Sequence, residues 1–195
     1  MRWAALVGGT GSNLRALIAA GCPIALVVSH RPGVGALDIA DAAGIPHIVL
    51  DPRQHSGREA YDAALLDVLR EADIEALVLA GFLRILTAPV VRAYAGRAVN
   101  VHPSLLPAFQ GLHAVRQALD YGVRVTGVTV HIVDEGLDSG PIIFQEALTV
   151  HPDDDEETLS ERIHAIEHRL LPAAVRLLDQ QHLSVIGRQV YIREE

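Results

Sequence analysis

The chain has 195 residues, half of them hydrophobic, a formal net charge of −8 and one cysteine, Cys22. That length allows one domain with a substantial core and is short for two, and the apolar content excludes long disorder. A lone cysteine permits no internal disulfide or cysteine metal cage and fits a reducing cytoplasm, while an acidic chain without a basic stripe argues against a nucleic-acid surface.

No apolar run reaches the length of a membrane span. The N-terminus, Met1 to Leu14, superficially suggests a signal peptide, but its apolar part is short and runs into a glycine-rich turn rather than a cleavage site. It reads as the first strand. Short apolar strands then alternate with amphipathic helices through the first hundred residues. Strands are predicted at Trp3–Val7, Ile24–Ser29, His47–Leu50, Ala76–Ala80 and Ala98–Val101, and helices at Asn13–Ala20, Gly35–Ala43, Arg58–Ala72 and Ala88–Tyr94. Strands that are apolar throughout suit a parallel sheet covered on both faces, so the repeated βα units imply an α/β fold with a doubly wound, mostly parallel sheet.

The second half changes character. A loop with two prolines and a glycine, His102–Gly111, leads to a short helix at Leu112–Tyr121 and strands at Gly127–Val133 and Ile142–Leu148. Alternation puts Thr129, His131 and Val133 on one face of the first of these strands. Asp155 or Thr158 can cap a long helix with an acidic first turn, and Pro172 should kink or divide it. Leu183–Ile192 reads as a hairpin turning near Gly187, a C-terminal antiparallel extension. Nothing resembles a linker or an internal repeat, so residues 1–195 are read as a single domain.

Three segments carry chemistry. Gly8-Gly9-Thr10-Gly11-Ser12-Asn13-Leu14 follows a strand and opens a helix, where free N–H groups make an anion site and glycines admit a close ligand. It lacks the third glycine of a dinucleotide fingerprint and the lysine of a P-loop, which favours a phosphate monoester over NAD or ATP. The bland alternative is a tight βα turn capped by Ser12. Asn100 and His102 lie on one side of a core strand at its carboxyl end, where α/β sheets bind ligands, and Pro103 ends regular structure there. Asp138 sits in a turn shaped by Gly136, Gly140 and Pro141. Such a carboxylate can hold His102 in one tautomer, favour its protonated form or take a proton through water. A turn aspartate and a core-capping histidine would be the alternative.

Taken together, these residues resemble the glycinamide ribonucleotide formyltransferase family, over almost the whole chain and in one order. Gly11-Ser12-Asn13-Leu14 is similar to the family's phosphate loop, Gly81 to Leu86 to its folate-pocket segment, and Asn100 to Pro107 to its active-site strand end. Gly111-Leu112-His113 resembles the loop that follows, Asp134 to Pro141 the loop with the catalytic aspartate, and Glu167 the glutamate that holds the glycinamide portion. Gly8 and Thr10 depart from the phosphate turn, and Gln110 stands where proline is common. The strand end and aspartate loop are shared with other formyl-folate enzymes, whereas the phosphate loop and Glu167 narrow the acceptor to the ribonucleotide.

The resemblance implies a Rossmann-like formyltransferase domain with a phosphate-binding half, residues 1–100, and a folate-binding and catalytic half, residues 101–195. It implies 10-formyltetrahydrofolate as co-substrate, no metal, small-molecule substrates, no nucleic acid or membrane partner, and a cytoplasmic monomer or homodimer. Asn100, His102 and Asp138 would be catalytic. Gly11, Ser12, Asn13 and Glu167 would bind the ribonucleotide, and Arg58, Leu83, Arg84, Ile85, Leu86, Asp134 and Gly136 the folate. Phe82 and Leu83 are also readable as core residues, and Arg58 as an exposed helix start.

Three other readings remain. His164-Ala165-Ile166-Glu167-His168 fits a zinc-peptidase pattern, whose third ligand would have to come from Asp179, Glu194 or Glu195. The glycine-rich turn alone would make a non-catalytic phosphate-binding module. Formyltetrahydrofolate hydrolase, with water as acceptor, would share the residues around Asn100 and Asp138, but it resembles a longer chain with an extra N-terminal domain.

Overall fold

A computed structural model describes residues 1–193. Its strands form a mostly parallel seven-stranded sheet and a separate two-stranded one, and the chain packs as two compact units, Met1–Val99 and the part beginning at Asn100.

In the first unit the strands are β1 (Trp3–Val7), β2 (Ile24–Ser29), β3 (His47–Val49) and β4 (Ala76–Ala80), hydrogen-bonded in the order β3-β2-β1-β4. β1 pairs in parallel with both β2 and β4, and every residue of β1 and β4 is buried. A central parallel strand has helices over both faces, which is why Trp-Ala-Ala-Leu-Val carries no polar residue. The covering helices are α1 (Ser12–Ala19), α2 (Gly35–Ala42), α3 (Arg58–Glu71) and α4 (Ala88–Ala93). They bury Leu14 and Leu17 from α1, Ala36 and Ala40 from α2, and Tyr61, Leu65 and Leu69 from α3. The chain winds outward from β1 to β3 and returns to β4 on the other side of β1. This reversal puts the loops after β1 and β4 at a topological switch point, where α/β sheets leave a crevice.

The second unit is built on β5 (Ala98–His102), whose first two residues close the first unit, followed by α5 (Ala114–Tyr121), β6 (Val125–Ile132), β7 (Ile142–Thr149) and α6 (Glu156–Asp179). β6 and β7 are antiparallel, with a register shift between Val130 and His131. At Gly127 a Cβ would come within 2.1 Å of the Glu146 carbonyl oxygen, so only glycine lets the two strands approach there. α6 lies against β6 and buries Leu159, Ile163, Ile166, Leu171 and Val175. β8 (Leu183–Ile186) and β9 (Gln189–Ile192) form the expected hairpin.

Several sequence expectations need correction. α5 starts at Ala114 rather than Leu112, because His113 has a left-handed backbone (φ 60°) that no α-helix accepts. β6 begins two residues earlier than expected. α6 runs unbroken through Pro172. The proline costs a backbone hydrogen bond, but it is one of the buried residues of α6, with Leu171, Ala174 and Val175, and burial of that face holds the helix together. Ser12 is not the cap of α1: Gly11 takes that position in the left-handed region (φ 85°), and no side chain caps the helix.

The start of α6 is fixed by a reciprocal box. The Thr158 N–H donates to Asp155 Oδ1 (2.8 Å), and the Asp155 N–H donates to Thr158 Oγ1 (3.0 Å). Replacing Asp155 with alanine should lower stability, because the Thr158 N–H loses its acceptor. Urea unfolding should show this as a lower midpoint at unchanged slope, and an unchanged midpoint would show that α6 does not need the cap.

Candidate active site

The glycine-rich turn and the Gly81–Leu86 segment leave the carboxyl ends of adjacent strands, since Val7 of β1 pairs with Ala80 of β4. In the turn, Gly11 is required twice over. Its φ is 85°, and a Cβ would lie 2.6 Å from the Ala36 Cα. The α1 N-terminus has no acidic residue in its first turn and no side-chain cap, so its first N–H groups keep the polarity that suits an anion. Ser12 and Asn13 are partly exposed there. Gly8 is explained by His30 at the end of β2, since a Cβ on Gly8 would sit 1.9 Å from the His30 ring. His30 Nδ1 donates to the Val7 carbonyl (3.0 Å) and the ring meets Phe82 edge-on at 5.0 Å. One histidine thus ties the turn after β1 to the segment after β4.

Within that segment Phe82 is buried, as the core reading expected, and so is Leu86, but Leu83 is 58% and Ile85 50% exposed. Leu83 is therefore not core. The two form an exposed apolar pair above a buried base. Arg84 stacks its guanidinium on the Tyr61 ring (4.4 Å), and Arg58 donates from Nη2 to the Leu86 carbonyl (2.8 Å). Arg58 is thus not merely a solvated helix start. Asp62 accepts the Thr87 N–H (2.5 Å), so the start of α3 grips the segment at three points.

In the second unit Asp138 gathers the residues that alternation and turn chemistry singled out. Its Oδ1 lies 3.4 Å from Asn100 Nδ2, and its Oδ2 lies 3.4 Å from His102 Nδ1. The Gly111 N–H donates to Oδ2 at 2.8 Å. Asp138 has a left-handed backbone (φ 45°), and so do Phe109 (53°) and His113 (60°) in the loop that faces it. Asparagine and aspartate tolerate that region better than most residues, which is a reason for this residue type here beyond its charge. His102 is 4% exposed and donates from Nε2 to the Phe109 carbonyl (2.8 Å). With that nitrogen committed, only the imidazolium also presents a proton from Nδ1 to Asp138.

The rest of the aspartate loop is self-supporting. Asp134 Oδ1 accepts from the Gly136 N–H (3.1 Å) and from Ser139 Oγ (2.8 Å), and a Cβ on Gly136 would fall 2.0 Å from that hydroxyl. Gln110 donates from Nε2 to the carbonyls of Leu137 (2.9 Å) and Asp138 (3.3 Å). A proline at this position offers no such donor. Glu167, on α6, is 5% exposed, a placement that a carboxylate adopts only with hydrogen-bond or cationic partners.

His131 was absent from the predicted site. Its Nε2 stands 3.2 Å from Asn100 Nδ2 and 3.7 Å from Asp138 Oδ1, and its Nδ1 donates to the Ile132 carbonyl (2.9 Å). Burial pushes its pKa below the usual histidine value, against the raising effects of the Ile132 carbonyl and Asp138. The signal was a titratable ring in a strand whose other residues are Val, Thr, Gly and Ile. Burial likewise lowers the pKa of His30 and of His168.

The His164–Glu167–His168 pattern folds onto α6 with the two imidazoles stacked, centroids 6.1 Å apart and planes 12° from parallel. Asp179 lies about 16 Å further along that helix, and Glu194 and Glu195 lie outside the described residues. Among the described residues no group of three or more His, Cys, Asp or Glu is arranged to hold a metal ion. No helix among them is long and apolar enough to cross a membrane.

The formyl transferase family model matches residues 1–175. The chain is 38% identical over 183 residues to the phosphoribosylglycinamide formyltransferase of Bacillus subtilis, covering 91% of this chain and 94% of that one. It is 48% identical over 185 residues to the trifunctional purine biosynthetic protein adenosine-3 of Drosophila melanogaster, covering 91% of this chain but only 14% of that protein's length. Among solved structures, glycinamide ribonucleotide transformylase 1 from Symbiobacterium toebii superposes with a TM-score of 0.96 at 42% identity, covering 100% of this chain and 94% of that one.

Stability should depend on pH through the three buried or partly buried histidines. Their folded pKa values lie below the unfolded value of about 6.5, so below that pH the unfolded chain binds more protons. Their stabilising effect is complete above about pH 6.5 and is lost as the pH falls from there toward the folded values. The slope is at most about 1.4 kcal/mol per pH unit for each histidine protonated only when unfolded. Urea midpoints at pH 7.5, 6.5 and 5.5 should fall in that order, and a flat series would contradict the burial effect.

Proposed function

The chain belongs to the formyl transferase family, and from that premise we propose that it transfers the formyl group of 10-formyltetrahydrofolate to the amine of glycinamide ribonucleotide in purine synthesis. The observation that carries this reading is one carboxylate, Asp138, meeting Asn100 and His102 on separate oxygens, at the end of β5. The full-length likeness to phosphoribosylglycinamide formyltransferases supports the choice of acceptor.

In the proposed reaction the amine nitrogen attacks the formyl carbon and the carbonyl oxygen becomes an oxyanion. An Asn100 N–H donates to that oxygen, and such a preorganised donor contributes about 3 kcal/mol to barrier lowering. His102 shares the developing charge and passes a proton to the departing folate nitrogen. Asp138 maintains the imidazolium and takes up, through water, the proton that the attacking amine loses. The tetrahedral intermediate then collapses, re-forming the carbonyl and breaking the C–N bond to folate, without a covalent enzyme intermediate.

Gly11, Ser12 and Asn13 would hold the ribonucleotide phosphate at the α1 N-terminus, and Glu167 its glycinamide end. The exposed Leu83 and Ile85 would receive the folate ring, with Leu86 beneath them and Arg58, Arg84, Asp134 and Gly136 shaping the folate site. Residues 1–195 would act as one formyltransferase domain, with phosphate binding in 1–100 and catalysis in 101–195, in the cytoplasm and as a monomer or homodimer.

Mixing the protein with 10-formyltetrahydrofolate should release tetrahydrofolate only when glycinamide ribonucleotide is present. Release without it would favour the hydrolase, and none in either case would sink both readings. Asn100→Ala should lower kcat by about 100- to 1000-fold. His102→Ala should retain ribonucleotide binding and lose most turnover, whereas a plain phosphate-binding module would be indifferent to that change.

A further inference from the structure

The Asn100 side chain is spoken for on both of its N–H groups. Its Nδ2 faces His131 Nε2 at 3.2 Å and Asp138 Oδ1 at 3.4 Å. Both neighbours can be acceptors there, but for different reasons. The carboxylate accepts because it is ionised. His131 accepts because its other nitrogen, Nδ1, lies 2.9 Å from the Ile132 carbonyl, which can only accept. The proton of a neutral ring must therefore sit on Nδ1, which leaves a lone pair on Nε2. Burial of the ring, 2% exposed, keeps it neutral. Turning the amide over would point Asn100 Oδ1 at two acceptors, so the amide has one orientation.

The two contacts are unequal. The His131 contact is the shorter, on a side chain whose ring is fixed by its own hydrogen bond within the strand. The Asp138 contact is at the limit of hydrogen-bond length, and Asp138 already receives the Gly111 N–H on its other oxygen. Resting on the formyl-transfer reading above, we propose that His131 is a positioning residue: it anchors one Asn100 N–H and leaves the other, loosely held by Asp138, to be given up to the formyl oxygen. The register shift between Val130 and His131 is the strand irregularity that aims the ring. Asp138 and the nearby His102 and Asp134 are the charged or titratable groups acting on it.

Steady-state kinetics of His131→Leu, His131→Gln, Asn100→Ala and the double variant Asn100→Ala/His131→Leu tests this, with thermal unfolding of each as a control. His131→Leu should lose about ten- to a hundredfold in kcat, the scale of a misplaced catalytic group, with KM for both substrates within about twofold. His131→Gln, whose side-chain oxygen can accept from Asn100, should recover most of the loss. The double variant should be no slower than Asn100→Ala alone, because residues acting through one another are not additive. Wild-type kcat in His131→Leu, or losses that multiply in the double variant, would overturn the proposal. Nitrogen-15 NMR of the wild type should find the neutral His131 protonated on Nδ1; protonation on Nε2 would overturn it without any variant. A wild type with no formyl transfer would refute the reaction and the positioning role with it, while the tautomer measurement would still decide the Asn100 contact.

Discussion

The second unit is organised around one carboxylate, Asp138. Asp138 is held by a backbone N–H from Gly111, the amide of Asn100 and the ring of His102. Hydrogen bonds to an ionised acceptor are stronger than neutral ones, and they are directional. That directionality sets the rest of the site. The loop over residues 102–113 must bring Gly111 to the carboxylate, which demands the left-handed turns at Phe109 and His113. The loop over 133–141 must present the carboxylate itself, which demands Asp134 as an internal acceptor and a glycine at 136.

In the proposed reaction the proton acceptor is a carboxylate held by an amide, an imidazole and a backbone N–H rather than by an arginine. An arginine partner would fix the carboxylate and take it out of the chemistry, since guanidinium does not release protons. Histidine and amide neighbours allow the balance to change when a substrate brings its own donors and acceptors. Gln110 contributes to the same end from outside, gripping the Leu137 and Asp138 carbonyls. The departure from proline at this position replaces stiffness in one loop with a tether between two.

The first unit solves a different problem, the presentation of N–H groups and an apolar ledge. Close packing of Gly11 against Ala36 leaves the α1 N-terminus uncapped, and His30 fills the space that glycine leaves at position 8. The exposed pair Leu83 and Ile85 stands on a segment anchored by Arg58, Asp62 and the Arg84–Tyr61 stack. Exposed apolar groups on a fixed backbone suit ligand binding, because little order has to be gained when a ligand arrives.

The sequence by itself determined the α/β class, the parallel strands, the capped final helix and the terminal hairpin. These follow from local rules of apolar period, turn residues and caps, each written within a dozen neighbouring residues. It also determined that Asn100 and His102 share a side, because strand alternation is local too. Tertiary structure alone decided what they face. His131 joins the site from a strand remote in sequence, and its tautomer rests on a hydrogen bond that no spacing encodes. The unbroken α6, with Pro172 buried, and the exposure of Leu83 were likewise decided by the fold rather than by local rules. Local physics writes the elements, while contacts across the fold decide which polar atoms are paired and which remain free to act.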